Sequence, residues 1–268
     1  MATVTVNGVE LYYERQGAGE PVVLVHGGYG DANAWFLLAP ELAVDHDVVA
    51  YDQRGHTRSE RPPGPLSMDD LVADLAGLIE RLDLAPVHLV GNSMGGTVAL
   101  RLAVGSPELI RTLAVHEPAL FALLACDPAT ASYAVARAEQ QRRMAEVLEH
   151  DPIAAIESFI DRITPGASAF VPDDAKKQRA DNASYYFRGE SMASDVDLDA
   201  LARATVPILL TDGDQTPEET GLPAVVRILG DALPRARRVT IEGAGHSPAF
   251  THAAEYGATL RNFFAEAS

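Results

Sequence analysis

The chain has 268 residues, 47% hydrophobic and 22% charged, the composition of one ordinary globular domain with enough apolar material for a large core and an inserted subdomain. Its formal charge of -17 excludes the basic face that nucleic acid or an anionic membrane requires, and no stretch approaches the roughly 18 apolar residues of a spanning helix. A single cysteine, Cys126, makes no internal disulfide and is expected as a small buried apolar side chain; with no basic cluster and apolar run at the start, the expectation is a soluble cytoplasmic protein.

Thr3 to Val6 and Val9 to Glu14 flank Asn7-Gly8, a strong hairpin signal, so two antiparallel strands open the chain. Pro21 to Val25 is an apolar run ending at His26-Gly27-Gly28, as a strand buried on both faces would read. Asp31 to Val44 has helical spacing, and Asp47 to Tyr51 is the next strand. After the Pro-rich stretch Arg61 to Leu66, a helix is predicted from Met68 to Leu84. Ser67 caps it, and Asp69 and Asp70 lie in the first turn, where the helix dipole favours negative charge. An apolar strand from Val87 leads into a small-residue helix, and Ile110 to His116 is another strand. This alternation implies an α/β fold, a mostly parallel sheet with helices on both faces. The rhythm breaks between Pro118 and Leu201, where segments such as ARAEQQRRMAEVLEH and DPIAAIESFIDRI read as helices with no strand between them. Residues 118–201 are therefore expected as a helical cap inserted in a single domain, 1–268. Val206 to Thr211 and Arg238 to Glu242 supply the last strands, with a helix near Glu218 to Leu229 between them, and a helix from Ala253 to Ala265 closes the chain.

Chemistry concentrates where the strand from Val87 meets its helix. Gly91-Asn92-Ser93-Met94-Gly95 is a G-x-S-x-G pattern in the strand-turn-helix setting that lifts a serine hydroxyl to the carboxyl end of a strand. Here the chain resembles the α/β-hydrolase superfamily, which implies an eight-stranded, mostly parallel sheet, a helical cap, and a triad in the order serine, acid, histidine. A serine hydroxyl needs a base, and His246, in Gly245-His246-Ser247 after a late strand, is the candidate. Among the other histidines, His88 lies inside a strand, His46 and His150 sit beside acidic residues on expected surfaces, and His252 opens a helix; each reads as structural or solvated.

The acid departs from the commonest family pattern, which places it three residues beyond a glycine after the penultimate strand. Counting from Gly213 gives Thr216, which cannot serve; Asp212 and Asp214 are near. Glu117 follows the strand Ile110 to His116 directly and precedes the helix-stopping Pro118. Lactonases that open the macrocyclic ring of zearalenone are similar in placing a glutamate there, within a His-Glu-x-Pro segment; here His116-Glu117-Pro118 has the proline one place earlier. Glu117 is favoured, with Asp214 open as the alternative.

Acyl transfer also needs N–H donors for the developing oxyanion. The resemblance assigns these to Met94, after the nucleophile, and Gly28, in the His26-Gly27-Gly28-Tyr29 segment, with His26 ordering that loop. Asp52-Gln53-Arg54-Gly55-His56-Thr57-Arg58-Ser59 is similar to the family's Asp-x-x-Gly-x-Gly-x-Ser loop, with Thr57 where a second glycine is usual, and is expected to support the oxyanion loop. His116-Glu117 is not H-E-x-x-H, because Leu120 holds the last position; Gly28-Tyr29-Gly30 lacks the third glycine of a dinucleotide fingerprint, and no phosphate-loop sequence occurs, so no metal and no cofactor is called for.

The expected activity is a serine carboxylesterase or lactonase acting on a small apolar substrate, with Tyr29, Trp35, Phe121 and Tyr185-Tyr186-Phe187 as candidate pocket residues. A carbon-carbon bond hydrolase of aromatic degradation shares the Gly-Asn-Ser-Met-Gly-Gly elbow and is the alternative enzyme. A small-molecule receptor with little turnover is the alternative from another class. Nothing in the sequence speaks against a homodimer.

Overall fold

The structure, a computed structural model, describes residues 2–126, 128–187 and 195–267. Among these, eight strands form one sheet: β1 (Ala2–Val6), β2 (Val9–Gly17), β3 (Glu20–Val25), β4 (His46–Tyr51), β5 (Val87–Asn92), β6 (Ile110–His116), β7 (Ile208–Gly213) and β8 (Arg237–Ile241). They pair in the order β1-β2-β4-β3-β5-β6-β7-β8. Asn7 and Gly8 both take positive φ, 49° and 76°, in a two-residue turn that sets Val6 opposite Val9 and matches the right-handed twist of the strands. β2 lies antiparallel to β1 and β4, and every later neighbour is parallel.

The first half of the chain carries the helices α1 (Leu38–Leu42), α2 (Met68–Arg81) and α3 (Met94–Gly105). Between β6 and β7 come α4 (Ala131–His150), α5 (Pro152–Ile163), α6 (Asp173–Tyr186) and α7 (Leu198–Arg203), and after β7 come α8 (Leu222–Ala232), α9 (Pro248–Thr251) and α10 (Ala253–Glu266). Successive side chains of β3 point to opposite faces, so Val23 and Val25 join one core while Val22 and Leu24 join the other. The first core gathers Leu71, Leu75 and Leu78 of α2, Val98 and Leu102 of α3 and Val226 and Leu229 of α8. The second gathers Leu38 and Leu42 of α1 and Tyr256, Leu260 and Phe264 of α10. A third cluster, Leu148, Ile156, Ile160, Ala180 and Ala183, holds α4, α5 and α6 together and includes Tyr29 from the loop after β3.

Several expectations shift in detail. Asp31 to Val44 is not one helix: Asp31 caps a 3-10 turn, Ala32–Trp35, by accepting from the Asn33 N–H, and α1 follows as a separate short helix. Ser67 caps α2 by accepting the Asp70 N–H at 3.0 Å, but the helix ends at Arg81 because Asp83 takes the left-handed φ of 54° that terminates helices. Cys126 is exposed rather than buried: the turn Phe121–Ala125 directs Leu124 inward and leaves the next positions outside. His46 is buried rather than on the surface, packed edge-on against His88 and Phe264.

Candidate active site

Ser93 sits between β5 and α3 with φ 53° and ψ -120°, a sparsely populated backbone state. The glycines on either side explain why it can exist. A Cβ on Gly95 would stand 2.1 Å from the Val25 carbonyl oxygen, and one on Gly91 would stand 2.6 Å from the Gly95 oxygen, so only glycine lets the chain turn this tightly. The turn is fastened by hydrogen bonds from the Ser93 N–H to the His116 carbonyl at 3.0 Å and from the Ala119 N–H to the Ser93 carbonyl at 3.1 Å.

Glu117 begins immediately after β6, with φ 42°, and is fully buried. One carboxylate oxygen lies 2.7 Å from His246 Nδ1, and the other accepts the Gly213 N–H at 3.0 Å. Burial alone would raise its pKa, but the neighbouring His116 and His246 and the Gly213 N–H outweigh it and hold the carboxyl near 2. Glu117 is therefore an anion throughout the physiological range. His116, also fully buried, places Nε2 at 3.3 Å from the Gly245 carbonyl and 3.8 Å from Glu117. Both neighbours are acceptors, so Nε2 carries the proton and Nδ1 faces Thr211 Oγ1 at 3.1 Å. Burial pushes His116 down to about 4, keeping it neutral. The alternative acids are committed elsewhere. Asp214 accepts the Gly243 N–H at 2.8 Å in an exposed loop, and Asp212 pairs with Arg238 and accepts from Thr240 Oγ1. Thr216, at the position where the acid is commonest, is buried with no hydrogen-bond partner for its hydroxyl among the described residues.

The loop after β3 closes over the elbow. A Cβ on Gly27 would lie 3.2 Å from Ser93 Cβ, and one on Gly28 would lie 4.0 Å from Met94 Cβ, so the two predicted oxyanion residues are adjacent. His26 Nε2 accepts the Gln53 N–H at 3.1 Å, which leaves Nδ1–H to donate to the Gly27 carbonyl at 2.8 Å. Gln53 Nε2 donates to the His26 carbonyl, and Asp52 accepts the Ala32 N–H, both at 2.8 Å. The Asp52–Ser59 segment thus straps the His26–Gly28 loop from outside. Thr57 adopts φ 41° in place of a glycine and is held by Asn182, which accepts its N–H at 2.8 Å. Asn182, fully buried on α6, also reaches the carbonyls of Tyr29 and Gly30, each at 3.1 Å. No sequence signal distinguished Asn182 from any other helical asparagine. Asn92 and His116 belong to the Gly91–Gly95 and His116–Pro118 segments, whose patterns give neither a role; Asn92 Nδ2 donates to the His246 carbonyl at 3.1 Å and ties the elbow to the histidine loop.

A cavity of about 650 Å³ opens beside these groups, between the sheet and α5 and α6. Its wall is mostly apolar, with Trp35, Ile160 and Phe250, and includes Asn92, His116 and Ser247 but not Ser93, Glu117 or His246 themselves. Of the aromatic candidates only Trp35 lines it. Tyr29 packs instead on Phe159, Tyr186 and Phe187, and Tyr185 lies over Gly55. Arg179 is a cationic side chain in the wall. His116, Glu117 and His246 present atoms within 4.8 Å of one another, close enough to ligate an ion, but their hydrogen bonds already account for that proximity.

The fold and this constellation define a hydrolase of α/β type. The model of the alpha/beta hydrolase family matches residues 22–259, and the chain belongs to that family. It is 30% identical to the 2-hydroxymuconate semialdehyde hydrolase of Pseudomonas sp. (strain CF600), over 97% of this chain and 92% of that protein. It is 36% identical to the putative carbamate hydrolase RutD of Azorhizobium caulinodans over 40% of each chain, and it spans less than half the length of several other curated relatives that it matches. In fold it is similar to a thermophilic esterase from Thermogutta terrifontis, with TM-score 0.76 and 24% identity over 99% of this chain and 98% of that one. Among the described residues, no helix is long and apolar enough to cross a membrane.

Proposed function

We propose that this hydrolase cleaves carboxylic esters or lactones through an acyl-enzyme on Ser93. The observation that carries this reading is the 2.7 Å contact between buried, ionised Glu117 and His246 Nδ1, at the carboxyl end of the sheet where Ser93 is presented. With Nδ1 held by the carboxylate, Nε2 is the nitrogen that takes the Ser93 proton as the hydroxyl oxygen attacks the substrate carbonyl. The Gly28 and Met94 N–H groups hold the oxyanion; no hydrogen bond within the protein occupies either of them among the described residues. His246 then protonates the leaving alkoxide, and a water activated by the same nitrogen releases the acid.

The full-length similarity to a 2-hydroxymuconate semialdehyde hydrolase favours carbon-carbon bond hydrolysis as the second reading. A panel of p-nitrophenyl esters of increasing acyl length, lactones of increasing ring size and a ring-cleaved aromatic dienoate separates the two. Turnover of esters or lactones that Ser93→Ala abolishes, with the melting temperature kept, is the expected result. Ester turnover that survives Ser93→Ala ends the proposal; turnover confined to the dienoate selects the second reading.

A further inference from the structure

Among the described residues, three phenylalanines keep more than half of their surface in water: Phe36 at 55%, Phe250 at 56% and Phe170 at 87%. All three line the cavity beside the elbow. Leu37, Val44, Val135 and Val147, the other exposed large apolar residues, lie outside its wall. A side chain that walls a cavity while most of it stays in solvent stands at the opening, so aromatic rings frame the mouth.

Structured turns, rather than loose chain, hold these rings in water. Phe36 closes the turn Ala32–Trp35, its N–H donating to the Asn33 carbonyl at 3.2 Å. Phe250 belongs to α9 and donates its N–H to the Ser247 carbonyl at 3.1 Å; its ring centre stands 5.8 Å from that of Phe36, the spacing of an aromatic pair. Phe170 ends the turn Ala167–Phe170, which Ser168 fastens to α5 by donating its N–H and Oγ–H to the Asp161 carboxylate at 2.8 and 2.7 Å. The same turns lead back to the chemistry. Ser247, next to the base His246, lines the cavity one helical turn before Phe250. The wall grades from Trp35 and Ala249, both buried, to Phe36 and Phe250, each the next residue in the chain and each exposed.

Exposed apolar rings gain free energy when something apolar covers them, and the molecule that must pass this mouth is the substrate. A protein partner seated here would close the entrance, and the formal charge of -17 sets the chain against an anionic lipid surface. We propose that the substrate carries a long apolar chain whose far end leaves the cavity past Phe36, Phe250 and Phe170, so that these rings set a preference for long-chain over short-chain esters or lactones. This rests on the ester-hydrolase reading above. Each methylene moved from water into apolar contact is worth about fourfold in binding, a gain that a chain ending inside the cavity never collects at the mouth.

The test measures kcat/KM, below the micelle concentration, for p-nitrophenyl esters from butyrate to decanoate and for alkyl acetates from butyl to decyl. The expected result is a long-to-short ratio of about tenfold or more in one series, falling by about threefold or more in both Phe170→Ser and Phe250→Ser. Val44→Ser, which removes an exposed apolar side chain away from the cavity, should leave the ratio unchanged. The series that shows the preference assigns the chain to the acyl or the alcohol side. A ratio at or below one in both series, or one that neither phenylalanine variant lowers, overturns the proposal. Binding is read separately through Trp35, the chain's one tryptophan and part of the cavity wall. In Ser93→Ala, 1-decanol should shift the Trp35 emission at a concentration about tenfold or more below that of 1-butanol, and adding Phe170→Ser should narrow this gap about threefold. A gap so narrowed supports the apolar path even if every ester is refused, in which case the ester reading alone falls. A gap that Phe170→Ser leaves unchanged, together with an unchanged ester ratio, removes the path and leaves the Ser93 chemistry standing. If Phe250→Ser does not fold, Phe170→Ser decides the comparison, because a side chain 87% exposed bears little on the fold.

Discussion

Glu117→Gln is the most informative single change, because it keeps shape and removes charge. The native carboxylate receives His246 at 2.7 Å and the Gly213 N–H at 3.0 Å and is held near pKa 2, against an ordinary value of 4.5. That depression corresponds to about 3 kcal/mol of pH-dependent stability. Because the folded pKa is the lower one, the contribution is fully present above about pH 4.5 and is lost as pH falls through about 2. In urea melts between pH 5 and pH 2 the wild type should therefore weaken by about 3 kcal/mol more than the variant. Activity changes for a different reason. An amide nitrogen facing His246 Nδ1 forces the other tautomer, whose Nε2–H cannot take the Ser93 proton, and kcat with p-nitrophenyl butyrate should fall about 10³- to 10⁴-fold, or roughly 4 to 5 kcal/mol. Asp214→Asn touches only the exposed Gly243 contact and should lose little. A Glu117→Gln enzyme within tenfold of wild type, or an equal loss in Asp214→Asn, would refute the assignment.

Asn182→Ala should cost about 2 to 4 kcal/mol, because it strips buried partners from Tyr29, Gly30 and Thr57 at once; chemical denaturation reads the loss, and a change under 1 kcal/mol would show that α6 does not clasp the oxyanion loop. Gly95→Ala should prevent soluble folding or cost more than about 3 kcal/mol, since its Cβ has no room against the Val25 oxygen, whereas Gly105→Ala, with open space around it at the end of α3, should change stability by less than about 1 kcal/mol. Equal melting temperatures for these two variants would contradict the close approach of elbow and loop.

The parallel sheet was legible because its central strands are continuous apolar runs between turn-forming residues, and the elbow because its geometry admits so few residue types. Ser93, Glu117 and His246 stand out in the sequence as candidates for a related reason, with Asp214 as the alternative acid: each is a polar residue at the carboxyl end of a strand or in the loop that follows one. What pattern could not supply were contacts made across long sequence separations. Asn182 meets Tyr29 and Gly30 from more than 150 positions away, and nothing in its own helix marks it. The aromatic candidates misled for a similar reason. Tyr29 and Tyr186 have the composition of a pocket wall, yet they pack on each other inside the helical layer, and the cavity is walled instead by segments whose sequence is unremarkable, such as Ile163 to Ala167. Cys126 and His46 exchanged their expected places, one outside and one inside, because burial at a turn or sheet end depends on which way the neighbouring chain faces.

The position of Glu117 has a consequence for how this fold can change. β5 and β6 are adjacent, with Asn92 paired to His116, so the residues that follow them, Ser93 and Glu117, are spaced by the strand ladder rather than by a flexible connection. The loop from Asp214 to Gly221, which in many relatives must deliver the acid, carries no such obligation in the proposed arrangement. Its first two residues still hold the segment before His246, Asp214 through the Gly243 N–H and Gln215 through the Ala244 carbonyl, so variation that spares the chemistry begins after them, from Thr216 to Gly221.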